Sequence, residues 1–201
     1  MKFSLELYHR RSIRLKGYDY TRPGAYFITV CTRDRACLFG EVKVGKVELN
    51  QWGIIVQECW HDLPKHFSNV KLDSFVVMPN HVHGIVIITR SPCRGDAGVA
   101  PTYQPYSSHR RHPASVSAPA VPCGPKPASI GAIVGSFKSA VTRRINELRQ
   151  TPAAPVWQRN YYEHIIRDDA SLERIRAYIR NNPLQWALDR ENPQESSGRF
   201  L

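Results

Sequence analysis

The amino-acid sequence predicts an α+β sandwich, in which helices cover one side of a set of strands. Two patterns support this fold class. Short runs rich in β-branched residues indicate strands, and longer runs with apolar residues at every third or fourth position indicate amphipathic helices. Because the chain has 201 residues, it is long enough to bury a real core, and we expect residues 1–201 to form a single domain.

The first third of the chain predicts a strand, a hairpin and a helix. Residues 1–22 read as a basic, irregular arm, residues 24–33 as a strand and residues 37–49 as a hairpin. Asn50 can cap a helix that continues to about Phe67. The side chains expected to face inward from this helix are Trp52, Ile55, Val56, Cys59 and Leu63.

Two further strands and an irregular segment form the middle of the chain. The strands are predicted at residues 69–77 and 81–89, with Met78-Pro79-Asn80 between them. Residues 91–128 are rich in Pro, Ser, Ala, Gly and Arg and have no apolar period. This composition predicts a flexible surface insertion, to which we assign no role.

The last third predicts two helices on either side of a short strand. The first helix runs from about Ser129 to Gln150, and the strand covers residues 162–166. The second helix can be capped by Asp168 or Asp169 and must end near Pro183, which cannot continue a helix. The apolar positions are Ile133, Phe137, Val141 and Ile145 on the first helix, and Leu172, Ile175 and Ile179 on the second.

The strand at residues 81–89 carries a pair of histidines that a metal ion could use. His81 and His83 flank Val82, and side chains alternate faces along a strand, so both imidazoles should lie on one side. Two imidazoles on a rigid strand are a good start for a divalent metal site. Taken alone, however, the pattern fits two ordinary histidines on a half-buried strand.

The last helix carries a second polar pair. Tyr178 and Asn182 are four residues apart, so they lie on one face of the helix, next to its apolar stripe. Taken singly, Tyr178 could be a core aromatic residue and Asn182 a C-terminal helix cap.

Taken together, these blocks resemble the single-tyrosine HUH transposases, and most closely the REP-associated tyrosine transposases. The resemblance covers most of the chain outside residues 91–128, with the blocks in the family's order. The matching blocks are Pro23-Gly24-Ala25-Tyr26-Phe27-Ile28-Thr29-Val30, Val77-Met78-Pro79-Asn80-His81-Val82-His83, residues 156–168 and Tyr178-Ile179-Arg180-Asn181-Asn182-Pro183. The resemblance implies a ferredoxin-like or RRM-like antiparallel sheet of the HUH endonuclease type. The HxH strand would be central in this sheet, and the helix that carries Tyr178 would pack against it.

The resemblance also implies a chemistry. Tyr178 would be the nucleophile that attacks a phosphodiester in single-stranded DNA, leaving a 5′-phosphotyrosine and a free 3′-hydroxyl. His81, His83 and Asn182 would hold the metal. Ligand chemistry alone would allow zinc, manganese or nickel, whereas the resemblance implies Mg²⁺ or Mn²⁺. The cysteines show no metal-ligand spacing.

Two neighbouring tyrosines, Tyr161 and Tyr162, compete for the role of nucleophile. We prefer Tyr178 because it has a polar partner one turn further along a helix. The block from Tyr161 to Ile166 reads as a strand, so its tyrosines and His164 are expected to serve in packing or DNA contact.

The charge of the chain favours a polyanionic partner. It has 28 Lys and Arg against 17 Asp and Glu, a formal net charge of +11. We expect single-stranded or hairpin DNA at palindromic repeats, although charge alone would equally fit RNA or an anionic membrane. The candidate DNA contacts are Arg11, Arg14, Lys16, Lys138, Arg143, Arg144 and Arg180.

Two other functions remain compatible with the sequence. One is a hairpin-binding protein that does not cut DNA, and the other is a metal-dependent phosphoesterase in which His81 and His83 activate water. The absence of a signal peptide and of a long apolar run, with five unpatterned cysteines, favours a cytoplasmic protein. We expect a monomer or a homodimer.

Overall fold

The computed structural model describes residues 15, 17–90, 125–189 and 191–193. Within these ranges the strands are β1 (Gly24–Cys31), β2 (Gly40–Lys43), β3 (Lys46–Leu49), β4 (Val70–Val77), β5 (His81–Ile88) and β6 (Tyr162–Ile166). The α-helices are α1 (Gln51–His61), α2 (Leu63–His66), α3 (Ile130–Leu148) and α4 (Asp169–Asn181). Two 3-10 helices, Arg33–Arg35 and Asn182–Leu188, complete the list.

The central sheet has four strands in the order β4-β5-β1-β6, and each neighbouring pair is antiparallel. The predicted antiparallel α+β sheet, with the HxH strand in its interior, is therefore confirmed. In the pairing of β1 with β5, Thr29 lies opposite His83 and Cys31 lies opposite His81. Strands β2 and β3 form a separate hairpin.

One face of the sheet packs on α1 and α3 and forms the larger core. Side chains such as Tyr26 and Ile28 from β1 meet Trp60 of α1 and Phe137 of α3 there. Gly84 of β5 makes room for the Trp60 indole, which stacks on Phe75 with 4.6 Å between ring centroids. We call this side the closed face.

Helix α4 packs on the opposite face. Phe27 alternates with Tyr26 and Ile28 along β1, so it points away from the closed face and joins a small cluster with Ile85, Ile166 and Ile179. We call this second side the open face. The prediction of helices on one side only is wrong, because β5 is buried on both faces and needs cover on each.

Most of the predicted element boundaries agree with the structure. The strand at 162–166 is confirmed, as are the buried positions of α3 and the caps at Asn50 and Asp168. The single helix expected from Asn50 to Phe67 is instead two helices. The break occurs because Pro64, at the start of α2, has no N–H with which to continue α1. Residues 91–124 and most of the N-terminal arm lie outside the described residues.

Candidate active site

His81 and His83 meet on the open face of the sheet. Their Nε2 atoms are 3.1 Å apart, and the two rings are 0% and 3% exposed. The alternation of side chains along β5 therefore places both imidazoles on one side, as the sequence predicts. Burial lowers the pKa of both rings, which favours the neutral form that can bind a metal ion.

Each imidazole is oriented by a hydrogen bond at its Nδ1 atom. Nδ1 of His81 lies 2.8 Å from Oδ1 of Asn80, and Nδ1 of His83 lies 2.8 Å from Oγ1 of Thr29. Both partners are buried, and both belong to or adjoin the central strands. As a result, the Nε2 atoms of the two rings converge on one point.

Tyr178 brings a phenol to the same point. Its Oη lies 3.2 Å from Nε2 of His83, and its ring packs edge-on against Phe27, with 6.0 Å between centroids. The tyrosine is 43% exposed, so a substrate can approach this residue from solvent. Burial of the hydroxyl, followed by the negative charges of Asp189 and Glu191, raises its pKa to about 12. The phenol therefore needs help to act as a nucleophile at neutral pH.

Asn182 follows Tyr178 by about one helical turn and is 1% exposed. Its Nδ2 donates a hydrogen bond to Oδ2 of Asp189 at 2.9 Å. Its Oδ1 is buried and accepts no hydrogen bond from the described residues. A buried amide oxygen without a donor is costly unless another group satisfies it, and a metal ion would do so.

Asp189 is the site residue that the sequence reasoning missed. One carboxylate oxygen of Asp189 and one ring nitrogen from each of His81 and His83 lie within 4.8 Å of one another. Two imidazoles and a carboxylate are a suitable donor set for several divalent metals, so the residues fit a metal ion. In the sequence, Asp189 is an unremarkable acid in a C-terminal region without a motif, and only the 3-10 helix after Asn182 brings it back to the site.

A second acidic residue, Glu191, lies beside these groups. Glu191 forms an ion pair with Arg35 at 3.0 Å and accepts a hydrogen bond from Sγ of Cys31 at 3.5 Å. Burial, and then the nearby Glu191 charge, raises the pKa of Cys31 to about 12, so this thiol stays protonated and unreactive.

The predicted DNA contacts that the structure describes lie on two helices, with Lys138, Arg143 and Arg144 on α3 and Arg180 on α4. Arg11, Arg14 and Lys16 lie outside the described residues. Nζ of Lys138 donates to three backbone carbonyls in residues 158–160, so a phosphate would have to compete with them.

Among the arginines, Arg144 pairs with Glu58, and Arg143 and Arg180 are exposed. Their roles in DNA binding stay predictions.

One aromatic residue of the edge strand β6, Tyr162, flanks the site. Tyr162 lies opposite Thr29 in the pairing of β1 with β6, which places it on the open face. It is 45% exposed, and its ring contacts Phe27 from the side away from β5. Tyr161, in contrast, is partly buried and packs against the core of the closed face.

No protein-family model matches the chain. An uncharacterized protein of Haemophilus influenzae is 40% identical over 188 residues, which cover 94% of this chain and 96% of that protein. Among solved structures, that of a REP-associated tyrosine transposase bound to a REP hairpin matches with a TM-score of 0.54 at 16% identity, covering 88% of this chain and 76% of that one.

Among the described residues, no helix has the length and apolar character that a membrane span requires. The relative from Haemophilus influenzae is similar over nearly its whole length. The solved structure has the same sheet with helices packed on it. The chain therefore belongs to one family with the Haemophilus influenzae protein, and its fold is similar to that of the REP-associated tyrosine transposase.

Proposed function

We propose that the protein is a metal-dependent tyrosine transposase that cleaves and rejoins single-stranded DNA at repeat-associated hairpins. In this proposal Tyr178 is the nucleophile. His81 and His83 hold a divalent metal, Mg²⁺ or Mn²⁺, together with a third ligand from the C-terminal side of the tyrosine helix. The same protein would join the cleaved end to a new partner, as a monomer or as a homodimer.

The observation that carries the proposal is the position of the phenol beside the two histidines. Oη of Tyr178 lies 3.2 Å from Nε2 of His83, which itself lies 3.1 Å from Nε2 of His81. A tyrosine that served only in packing would not need to place its hydroxyl beside the histidines in a residue that is 43% exposed. A simple metal-dependent phosphoesterase would need the histidines but not the tyrosine.

The chemistry is a transesterification. The phenol oxygen of Tyr178 forms a bond to the phosphorus of a phosphodiester, and the bond from that phosphorus to the 3′-oxygen breaks. The phenol loses one proton and the departing 3′-oxygen gains one, so the strand ends in a 3′-hydroxyl and a 5′-phosphotyrosine. Because the phosphodiester energy is kept in the tyrosine ester, the reverse reaction with another 3′-hydroxyl rejoins DNA.

The residues around Tyr178 fit this role. Burial of the phenol, followed by the charges of the partly buried Asp189 and Glu191, raises its pKa and opposes the loss of its proton, so the reaction needs positive charge nearby. A divalent metal bound at the histidines would supply that positive charge and stabilise the charge that develops on the phosphate. Phe27 and α4 keep the phenol ring against the site, while the residue as a whole remains partly exposed.

The third ligand would be either Asn182 or Asp189. Oδ1 of Asn182 is buried without a donor among the described residues, which supports the amide predicted from the resemblance. The carboxylate of Asp189 is close enough to both histidines to share one metal ion with them. Since Asp189 also accepts a hydrogen bond from Asn182, the two side chains would act together.

Hairpin DNA is the substrate that the fold and the charge favour. The solved structure with this fold was determined bound to a REP hairpin, and the present chain has a net charge of +11. The exposed aromatic ring of Tyr162 beside the site offers a surface on which an unpaired base could stack.

The first experiment mixes the purified protein with labelled single-stranded DNA that carries the palindromic repeats flanking its gene. Products formed with Mn²⁺, Mg²⁺ or a chelator are separated on a denaturing gel. We expect a covalent protein–DNA adduct that requires metal and that disappears in both Tyr178→Phe and His81→Ala. Tyr162→Phe is the matched control, because it removes a nearby phenol hydroxyl and should leave the adduct in place.

Two other outcomes would replace the proposal. If the DNA is cleaved with no adduct, and Tyr178→Phe still cleaves it, the protein is a phosphoesterase that uses water. DNA that is bound tightly but stays whole with every metal would identify a hairpin-binding protein without nuclease activity.

A further inference from the structure

Asn80 is held in one orientation by the backbone around it. Its side chain is fully buried, and its Nδ2 lies 3.0 Å from the carbonyl oxygen of Arg35 and 2.6 Å from that of Glu191. Both partners can only accept, so the amide nitrogen must face them. Oδ1 of Asn80 must then face the ring of His81.

This orientation decides which nitrogen of His81 carries the proton. Oδ1 of Asn80 lies 2.8 Å from Nδ1 of His81, and an amide oxygen can only accept a hydrogen bond. A neutral His81 therefore carries its proton on Nδ1. Its Nε2 keeps a lone pair that points at the site.

His83 is in a different situation. Its Nε2 lies 3.1 Å from Nε2 of His81, a hydrogen-bond distance that requires a proton on one of the two nitrogens. Because His81 has its proton on Nδ1, His83 must donate from Nε2, and Oη of Tyr178 at 3.2 Å can share that donor. Nδ1 of His83 then accepts a hydrogen bond from the Thr29 hydroxyl.

A metal ion bound between the rings would need a lone pair on both Nε2 atoms. His81 already offers one, whereas His83 must move its proton from Nε2 to Nδ1. The Thr29 hydroxyl can donate to a bare Nδ1 and can equally accept from a protonated one. Thr29 therefore satisfies either tautomer of His83, while Asn80 satisfies only one tautomer of His81.

We propose that Asn80 and Thr29 are positioning residues with different tasks in metal binding. Asn80 locks His81 in the tautomer that is ready for a metal, and Thr29 lets His83 exchange its proton between ring nitrogens when the metal arrives. The inference rests on the metal site of the proposed function, but it concerns ring tautomers and metal affinity and needs no DNA.

The direct test is a long-range ¹H–¹⁵N NMR experiment on the histidine rings of the full chain, first with chelator and then with Zn²⁺ as a diamagnetic probe. With chelator we expect His81 to carry its proton on Nδ1 and His83 on Nε2. With Zn²⁺ we expect the proton on Nδ1 in both rings. A proton on Nε2 of His81 in the chelator-treated protein, or an unchanged His83 tautomer on zinc binding, would overturn the proposal.

Substitutions at Thr29 test the same idea through affinity. Thr29→Val keeps the shape but leaves Nδ1 of His83 without a partner, so we expect zinc binding about 10- to 100-fold weaker by calorimetry. Thr29→Ser keeps the hydroxyl and should bind zinc as the native protein does. Thr32→Val is the matched control, because the Thr32 hydroxyl is also buried but bonds to the carbonyl of Ala36, away from the rings.

Asn80→Ala tests the other half. It removes the oxygen that accepts from Nδ1 of His81, so in the chelator-treated protein we expect part of the His81 population to carry its proton on Nε2, and a proton that stays on Nδ1 alone would refute the task assigned to Asn80. Equal zinc affinity in Thr29→Val and Thr29→Ser would refute the task assigned to Thr29. If the tautomers behave as expected but no DNA adduct forms, the metal inference stands and the transposase proposal fails.

Discussion

The two faces of the central sheet divide stability and chemistry between them. The closed face buries a continuous apolar cluster from β1, β4, β5, α1 and α3, with large rings such as Trp60 and Phe137 in contact. The open face buries only a small apolar cluster under α4, and beside it His81, His83 and Asn182 are almost fully buried. Polar groups are costly to bury, so the sheet can carry them on one face because the other face supplies the apolar burial.

The largest effect should come from the closed face. Phe137→Ala removes a ring that is 1% exposed and contacts Trp60 and Trp157, so we expect a loss of about 3–5 kcal/mol in the free energy of unfolding. The zinc affinity of this variant, measured under conditions in which it remains folded, should equal that of the native protein. Leu148→Ala on the same helix is the control, because that side chain is 49% exposed. A parallel loss of zinc affinity would show that the faces are not independent.

The next effect belongs to the open face. Asp189→Asn removes the carboxylate that lies within reach of both histidines, and we expect metal affinity to fall about 10- to 100-fold, with little change in stability. Calorimetric titration of native protein, Asp189→Asn and Asn182→Ala with Mn²⁺ would rank the two candidate ligands. An affinity untouched in Asp189→Asn but lost in Asn182→Ala would assign the third position to the amide.

An effect of similar size is expected at Tyr162, on the edge of the open face. Tyr162→Ala removes an exposed ring on which a base could stack, a contact worth about 1–3 kcal/mol in other single-strand complexes. The affinity for hairpin DNA, measured by fluorescence anisotropy in a Tyr178→Phe background, should fall by this amount. The free energy of unfolding should change little. Tyr162→Phe keeps the ring and should bind like the parent. Equal binding by the alanine variant would remove Tyr162 from the DNA path.

The smallest effect concerns the ion pair that ties α4 to the sheet. Arg176 of α4 donates to both carboxylate oxygens of Asp73 on β4, and this guanidinium lowers the pKa of Asp73 to about 2. The folded-state pKa lies below the ordinary 3.8, so the pair stabilises the fold above that pH and the contribution disappears as the pH falls towards about 2.

Since both side chains are partly exposed, we expect Asp73→Asn to cost only about 1 kcal/mol at neutral pH and to flatten the acid limb of the stability curve. Glu173→Gln is the control, because Glu173 meets the same arginine from an exposed position. An acid limb that is unchanged in Asp73→Asn would contradict this assignment.

Local patterns in the sequence predicted buried residues of the closed face and the histidine pair of the open face. The apolar spacing of α3 and the alternation of β5 are properties of neighbouring residues, so they predicted Ile133, Phe137 and the shared face of His81 and His83. Asp189 could not be found in this way, because its proximity to the histidines depends on where the chain runs after α4. The placement of α4 on its own face was missed for the same reason, since its stripe is compatible with either side of the sheet.

The link between Asn80 and the backbone of Glu191 has a consequence for biosynthesis. Translation delivers β1, β4 and β5 to the ribosome exit well before it delivers residues 189–191. A growing chain therefore contains the strands that carry both histidines before the Asp189 carboxylate and one of the carbonyls that orient Asn80 have been made. The histidine-bearing strands are thus synthesised first, and the metal site is completed only when residues 189–191 have been added.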